Sequence, residues 1–591
     1  MGEFIWPYGN RKGTHQWRDW QIQLIMVEQP KLVRQSTLRL VAVAATLLVG
    51  ACSPALQIFM RGGQKQLRTE LQPVVPATRV LVFAMDGAGY EEFTQAVSSG
   101  RAKNIAALMG RRRDRELYEH AYSVANAISV LPTTMPAWVT IFTGRPPADT
   151  GVTGDEFFIR EEQRFYAPVP VSIDTHEDTY RVLNNDLLGK VIDTPTLFEL
   201  LKVRSYVSLN GVYRGADVFT DLNRSAYASI AADLVKSEVL GGEPSGNVVA
   251  RIDEDATAAV LENFEQHGLP DLQVVYFPGI DLFTHHTPEP LKSQALYLET
   301  VTDYSVGRIL DYYRNTGALD HTYVLFVADH GHTPTLPDAD HALGTEEGAD
   351  LLPQLLRTQG FRPRPFTLTP PAGQRDYQAV VAYQGVVAYI YLADRSFCQQ
   401  KGESCLWGRP PRFKEDVLPV VRALYSSGQS GQPVPQLKDK LDLIFAREPV
   451  TAGQNSHPFD IFDGRNLLPI AKYLARHPRP DLIELELRMA WLGAGPHGDR
   501  AGDIIVLPHF SVKDPIERRY YFGPRYYSEH GSPSLQDSHI PFVIARTNFS
   551  GKRLEMIAKP AISPDPTQLD VVPLIQRLLR HDVQALENVT R

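Results

Sequence analysis

Four short fragments of this 591-residue chain carry side chains of the kind that hold divalent cations. They are "MDG" with Asp86, "DLFTHH" with Asp281 and His285, "ADHGH" with Asp329 and His330, and "EHGSPSLQDSHIPFVI" with His530. Imidazole nitrogen combined with carboxylate oxygen is the ligand set of zinc and related ions. Asp281 and His285 are spaced i, i+4, so on one helical turn they share a face and can grip one ion. Asp329 and His330 are adjacent, and a sharp turn at a strand end would aim both at another. Singly, each fragment is ordinary: an acidic residue after a strand often caps a helix, and a lone histidine is usually structural. Together, with three of them at strand ends, they predict a metal site.

A fifth fragment, "LPTTMPAWVTIFTG" (Leu131 to Gly144), raises a different chemistry. Thr133 and Thr134 precede a proline and an apolar run, the pattern of a capped helix start. Either hydroxyl can cap that helix, and a threonine oxygen beside a bound cation can also act as a nucleophile.

The elements that must position these residues are legible as apolar runs. "TRVLVFAMDG" reads as a buried strand, Val80 to Met85, delivering Asp86 at its C-terminal end; "LQVVYFPGID" does the same for Asp281 and "YVLFVADHG" for Asp329. Helical segments separate them, including Asp253–Gly268 and Leu291–Gly317. Continuous apolar strands alternating with helices indicate an α/β fold with a mostly parallel sheet sandwiched by helices. In such sheets the ligand site lies beyond the carboxyl ends of the strands, where these acidic residues emerge. From Pro334 to Arg500 the pattern changes to Pro/Gly-rich stretches between short strands and a helix, which predicts an inserted cap subdomain. The core pattern is expected to resume in "GDIIVLP" (Gly502–Pro508) and "IPFVIA" (Ile540–Ala545) and to close with the helix "QLDVVPLIQRLLR". The expected organisation is therefore an upstream extension and signal over 1–52, a linker over 53–75, core over 76–333, insertion over 334–500, and core again over 501–591. The Gly-rich "GAGPHGDR" lacks the strand–loop–helix context of a phosphate loop and reads as a plain turn.

Composition narrows the partners. Hydrophobic residues make up 43% and charged residues 22% of the chain, ordinary for a soluble globular protein. A formal charge of −8 gives no electrostatic case for a nucleic-acid patch. The segment "KLVRQSTLRLVAVAATLLVGACS" has basic Lys31, Arg34 and Arg39, then an apolar run too short to span a bilayer, then Cys52. That is the layout of a secretory signal. "VGAC" resembles a bacterial lipobox, which makes Cys52 the lipidated residue and places the chain in the cell envelope, anchored facing the periplasm and in the outer rather than the inner membrane. Met26 is an alternative start. Cys398 and Cys405 in "FCQQKGESC" could close a small disulfide loop or remain two free thiols.

Asp86, the Thr134-Met135-Pro136 triplet, Asp281 with His285, Asp329 with His330, and the late His530-Gly531 together resemble the alkaline phosphatase superfamily. Among its branches the resemblance is to the type I phosphodiesterase/nucleotide pyrophosphatase family, and it spans most of the chain. It implies an alkaline phosphatase-like core and a pair of divalent ions, zinc or alternatively manganese. It further implies that Asp86, Asp329, His330 and the Thr134 oxygen hold one ion while Asp281, His285 and His530 hold the other. His286 and His332 match no ligand position and read as supporting or exposed; His341, His497 and His539 read as structural. Thr134, which immediately precedes an x-Pro pair, is the implied nucleophile, leaving Thr133 as a neighbour or cap.

The implied reaction is double displacement at phosphorus, through a phospho-threonine, on a small-molecule, lipid or glycan phosphate ester. Two ions about 3.5–4 Å apart suit that chemistry by clamping the attacking and leaving oxygens. The sequence departs from nucleotide-cleaving relatives at Ala137 and Trp138, where they carry Asn-His. It departs again at Asp155, where they carry an asparagine that donates to phosphate; there Asp155 is protonated, paired with a basic group or metal, or turned away. A phosphonate hydrolase, a phospho-headgroup transferase and a catalytically idle binding lipoprotein are the alternatives.

Overall fold

The molecule is described by a computed structural model over residues 64–74, 78–172, 187–222, 246–344, 350–451 and 453–589. The predicted signal segment, Cys52 and the first part of the predicted linker lie outside the described residues. No helix among the described residues is long and apolar enough to cross a membrane.

The strands that read as continuous apolar runs form the centre of an eight-stranded sheet. Arg79–Met85 lies between Leu272–Phe277 and Thr322–Ala328, parallel to both. Ser205–Ser208 and Val218–Thr220 extend the parallel set beyond Leu272–Phe277. The other side is closed by Phe542–Ala545, antiparallel to Thr322–Ala328, and then by Ala121–Ser123. Residues 80–85, 272–277 and 322–328 are buried throughout, as strands covered on both faces must be. Helices flank the sheet; Gly246–His267 packs on Leu272–Phe277 and Val571–Val589 on Arg79–Met85. The α/β fold with a mostly parallel sheet is as expected from sequence.

Register explains why the acidic residues converge. Met85 is paired with Phe277 on one side and Ala328 on the other. Asp86 and Asp329 therefore leave the sheet at one level, and the helix Gly279–His286 begins two residues past Phe277. The long helix expected over Leu291–Gly317 is interrupted: Pro290–Tyr297 passes through a π-turn, Leu298–Thr302, into Asp303–Asn315.

A second sheet has six strands, all antiparallel: Ala379–Gln384, Val387–Leu392, Ile504–Pro508, Leu441–Ala446, Asp460–Phe462 and Leu467–Pro469, in that spatial order. Two expectations change here. "GDIIVLP" does not resume the main sheet; Ile504–Pro508 is the third strand of the second one, which carries that sheet past the expected limit at residue 500. An apolar run satisfies a buried position in either sheet, so composition alone could not place it. Part of the predicted linker is also structured, since Gln64–Gln66 pairs with Val218–Thr220 at the edge of the main sheet. "IPFVIA" does return to the main sheet, as Phe542–Ala545. Cys398 and Cys405 form a disulfide, settling the open alternative between a bridge and two thiols.

Candidate metal centre

The sheet's carboxyl ends bring six of the predicted side chains, and one further histidine, into a single buried cluster. Asp281 and His285 do share one face of the helix Gly279–His286, with His285 Nε2 3.2 Å from Asp281 Oδ1. His530 Nε2 approaches the same oxygen at 3.6 Å. Asp86 and Asp329 converge on His330, whose Nε2 lies 3.6 Å from Asp86 Oδ1 and 3.3 Å from Asp329 Oδ2. Three overlapping groups of three ligand atoms lie close enough to share an ion: Asp86, Asp329 and His330; Asp281, His285 and His530; and Asp281, His330 and His332. Thr134 Oγ1 lies 3.2 Å from His330 Nε2, on the edge of the first set.

A two-residue ribbon sets His530 in place. Ser528–Glu529 pairs antiparallel with Thr333–Pro334, directly after the "ADHGH" turn. His530 thereby stacks on His330 with ring centroids 3.5 Å apart. Gly87 shows why the first fragment ends in glycine. It has φ +68°, and a Cβ there would stand 2.5 Å from His332 Nε2 and 3.0 Å from Asp281 Cβ.

Hydrogen bonding at the far side of each ring fixes the chemistry at the near side. The Nδ1 atoms of His285, His330 and His530 face the backbone carbonyls of Ser528, Gly331 and Pro132 at 2.7, 3.1 and 3.1 Å. A carbonyl only accepts, so each Nδ1 must carry the proton and, in the neutral ring, Nε2 presents a lone pair. At His330 and His530, which burial keeps neutral, those lone pairs face carboxylate oxygens. At His285 burial opposes the charge but Asp281 outweighs it and raises the imidazole to about 9, so without a cation it is protonated beside Asp281. The same oxygens, Asp86 Oδ1, Asp281 Oδ1 and Asp329 Oδ2, are buried with no hydrogen-bond partner. Acceptor against acceptor in a buried site is repulsive unless a cation lies between them. The donor set and its orphaned atoms therefore fit divalent metal.

Electrostatics agree. Among the described residues, the histidines are the only basic groups within 4 Å of these three carboxylates. Burial, then the neighbouring Asp281 charge, pushes the Asp86 carboxyl up to about 8. Burial and then Asp86 raise Asp329 well above the usual carboxylate range. Burial opposes ionisation of Asp281 too, but His285 and His332 outweigh it and hold Asp281 well below that range. Burial depresses His330 to about 3, keeping it neutral. Tyr276 adds a hydroxyl that donates to Asp86 Oδ2.

His332 is the residue that motif spacing did not reveal as part of the cluster. The sequence left it as supporting or exposed; it is fully buried, with Nε2 3.0 Å from Asp281 Oδ1 and Nδ1 3.1 Å from Ser528 Oγ. The only sequence signal was a second histidine two residues after His330. His286 stays at the rim against Tyr526. His341 bonds Asp338 and the Glu517 carbonyl, His497 pairs with Asp193, and His539 stacks on Tyr90, all outside the cluster.

The threonine turn differs in detail from a capped helix. Helix Thr134–Thr143 starts at Thr134, and Thr133 occupies the cap position in extended conformation without a side-chain cap bond. The first-turn N–H of Met135 donates instead to Asp155 Oδ1 at 2.8 Å. Asp155 is held in turn by its own N–H, which donates to Gln384 Oε1 at 2.7 Å. It thus has a partner within the chain, and burial raises its carboxyl well above the ordinary value. Ala137 and Trp138 are both fully buried, with Trp138 packed edge-on against Tyr276 beneath Asp86. "GAGPHGDR" is a turn whose Gly493 and Gly498 carbonyls accept from Arg447, as does the carbonyl of Gly502 just beyond it. Carbonyls, unlike N–H groups, offer a phosphate nothing.

The sequence profile of the type I phosphodiesterase/nucleotide pyrophosphatase family matches residues 80–400. No curated protein matches the chain. Among solved structures it is similar to murine ectonucleotide pyrophosphatase/phosphodiesterase 5, described as an inactive form in complex with AMP. That pair shares 12% identity over 85% of this chain and 95% of that one, with a TM-score of 0.44. It is also similar to phosphonoacetate hydrolase from Sinorhizobium meliloti 1021 in complex with phosphonoformate, at 14% identity over 87% of this chain and 100% of that one, TM-score 0.44.

Proposed function

The chain belongs to the type I phosphodiesterase/nucleotide pyrophosphatase family and is a phosphoric ester hydrolase, and we propose that it works by double displacement with Thr134 as nucleophile beside two divalent ions. The observation that carries this reading is the set of buried, partnerless carboxylate oxygens facing histidine lone pairs, with the Thr134 hydroxyl at their edge. Asp86, Asp329, His330 and Thr134 would hold one ion, and Asp281, His285 and His530 the other. Ions bound there supply Lewis-acid polarisation of the phosphoryl oxygens and favour ionisation of a coordinated hydroxyl.

The chain's own residues do the rest. The helix Thr134–Thr143, closed by Gly144 in the left-handed conformation, presents Thr134 at its first turn. Asp155 secures that turn through the Met135 N–H, which fixes the direction of Thr134 Oγ1 toward the cluster. Thr134 Oγ1 attacks phosphorus, its bond to the phosphoryl group forms, and the ester oxygen departs with its electron pair. A diester leaves its remaining ester group on the phosphoryl-threonine. Water then attacks phosphorus from the side the leaving group vacated, the Thr134 Oγ1–phosphorus bond breaks with its electron pair going to Oγ1, and a proton from the water restores the hydroxyl. His332 holds Asp281 in place through its Nε2, 3.0 Å from Asp281 Oδ1.

The lipobox-like "VGAC" supports an envelope location with Cys52 as lipid anchor and phosphate esters of the periplasm as substrates. The test is a panel of 4-nitrophenyl phosphate monoester, diester, phosphonate and sulfate, each with zinc and with manganese, alongside metal analysis. The expected result is phosphate-ester turnover without sulfate turnover, and about two bound ions per chain. A metal-loaded protein that hydrolyses none of the phosphorus esters, or a protein that binds no ion, would overturn it.

A further inference from the structure

We propose that Gln294 is a positioning residue that sets the spacing between the two ions; the inference rests on the two-ion reading above. It does so by tying the loop that carries Asp86 to the helix that carries Asp281 and His285. Asp86 leads out of its strand into Gly87-Ala88-Gly89, a run with almost no side chains. Such a loop cannot hold its own path, so its course is set by whatever bonds its backbone. The Gly87 N–H donates to Asp329 Oδ1 at 2.9 Å. Two further bonds come from a single side chain. Gln294 Nε2 donates to the Gly87 carbonyl at 2.9 Å, and Gln294 Oε1 accepts from the Gly89 N–H at 3.0 Å.

The same amide reaches the other half of the site. Its Nε2 also donates at 3.2 Å to Thr284 Oγ1, whose own proton goes to the Ile280 carbonyl. Thr284 lies between Asp281 and His285 on the helix Gly279–His286, and its carbonyl accepts from Ser528 Oγ. Gln294 and Thr284 are both fully buried, and the amide's two N–H groups and its oxygen each meet a partner, which fixes its orientation. Gln294 itself belongs to a separate element, the helix Pro290–Tyr297. Its bonds go to Gly87, Gly89 and Thr284, none of them a proposed ligand, yet each beside one. The amide's neutrality suits the place. Asp86, Asp281 and Asp329 already bury three carboxylates, and a glutamate at 294 would add another while losing the N–H groups. Gln294 thus links the Asp86 half of the cluster to the Asp281 and His285 half without altering its charge.

The test uses the full-length protein loaded with manganese and read by electron paramagnetic resonance. Two neighbouring Mn(II) ions give an exchange-coupled spectrum, and a lone ion gives its simple hyperfine pattern. Wild type should show the coupled pair. Gln294→Met, which keeps the volume and removes all three bonds, should convert much of that signal to isolated ions at saturating manganese. It should also lower kcat by about 10–100-fold, the range for a group that acts behind the ligands, with KM little changed. Thr284→Val, which removes only the tie to the helix, should move both readouts the same way by less. A role in folding alone would lower the melting temperature and leave the spectrum of the folded protein coupled. A coupled pair of wild-type strength in Gln294→Met, or in Thr284→Val should Gln294→Met not fold, would overturn the inference and leave the two-ion reading intact. No coupled pair in wild type would overturn both.

Discussion

The two sheets treat buried charge in opposite ways. In the antiparallel sheet and its surroundings, charges are matched within the chain. Arg447 is enclosed by backbone carbonyls, Arg160 meets Asp503, and Asp416 takes both Arg395 and Arg412. At the carboxyl ends of the parallel sheet, three carboxylates are instead buried facing histidine lone pairs, with oxygens left unmatched. Matched charge holds a fold together; unmatched charge, kept in place by the rest of the fold, is where an external ion and a reaction belong.

The comparison is most easily broken by removing metal. Exhaustive chelation should take phosphate-ester turnover to background and lower the melting temperature, with both restored by zinc. The metal-free protein should also acquire a pH dependence. Asp86 has an ordinary pKa of 3.8 and about 8 in the folded cluster, so the folded state binds its proton more tightly. Its contribution to stability is then present below about pH 4 and lost as pH rises towards 8. Calorimetry across that range should show the loss in metal-free protein and a weaker one when metal is restored. A metal-free protein equally stable from pH 4 to 8 would contradict the unmatched-charge picture.

Thr134→Ala should lower kcat by about 10³-fold or more, as loss of a covalent nucleophile does, while leaving the metal content near wild type. A fall in metal content together with activity would mean the hydroxyl serves chiefly as a ligand. His332→Gln should weaken metal affinity by about 10–100-fold, the range for a residue that orients a ligand, with most of kcat recovered at saturating zinc. Competition with a zinc-chelating dye reads the affinity directly. On the other side of the comparison, Arg447→Met should cost about 2–4 kcal/mol of stability, since it strands several buried carbonyls. Metal content and kcat should not change; a loss of metal in that variant would show that the two regions are not separable in this way.

Much of the site was legible because its ligands obey short-range rules. Asp281 and His285 are one helical turn apart, and Asp86 and Asp329 each follow a run that can only be a buried strand. Register converts those local facts into a cluster: Met85 pairs in parallel with Phe277 and Ala328, a strand order and register that the fold class alone does not give. What was not legible depends on long-range pairing. His332 enters the cluster through the ribbon between Thr333–Pro334 and Ser528–Glu529, too short to leave a pattern in sequence. Ile504–Pro508 looks the same whichever sheet receives it. The Asp155 contact to the Met135 N–H joins positions 20 residues apart by a turn geometry that composition does not encode.

The stereochemical course at phosphorus tests the central claim most directly. A phosphorothioate diester of one configuration, hydrolysed by the metal-loaded enzyme in heavy-oxygen water, reports the number of displacements whether or not an intermediate accumulates. Attack by Thr134 followed by attack by water inverts phosphorus twice, so the account predicts net retention. Net inversion would mean that water attacks the ester directly and that Thr134 never bonds to phosphorus.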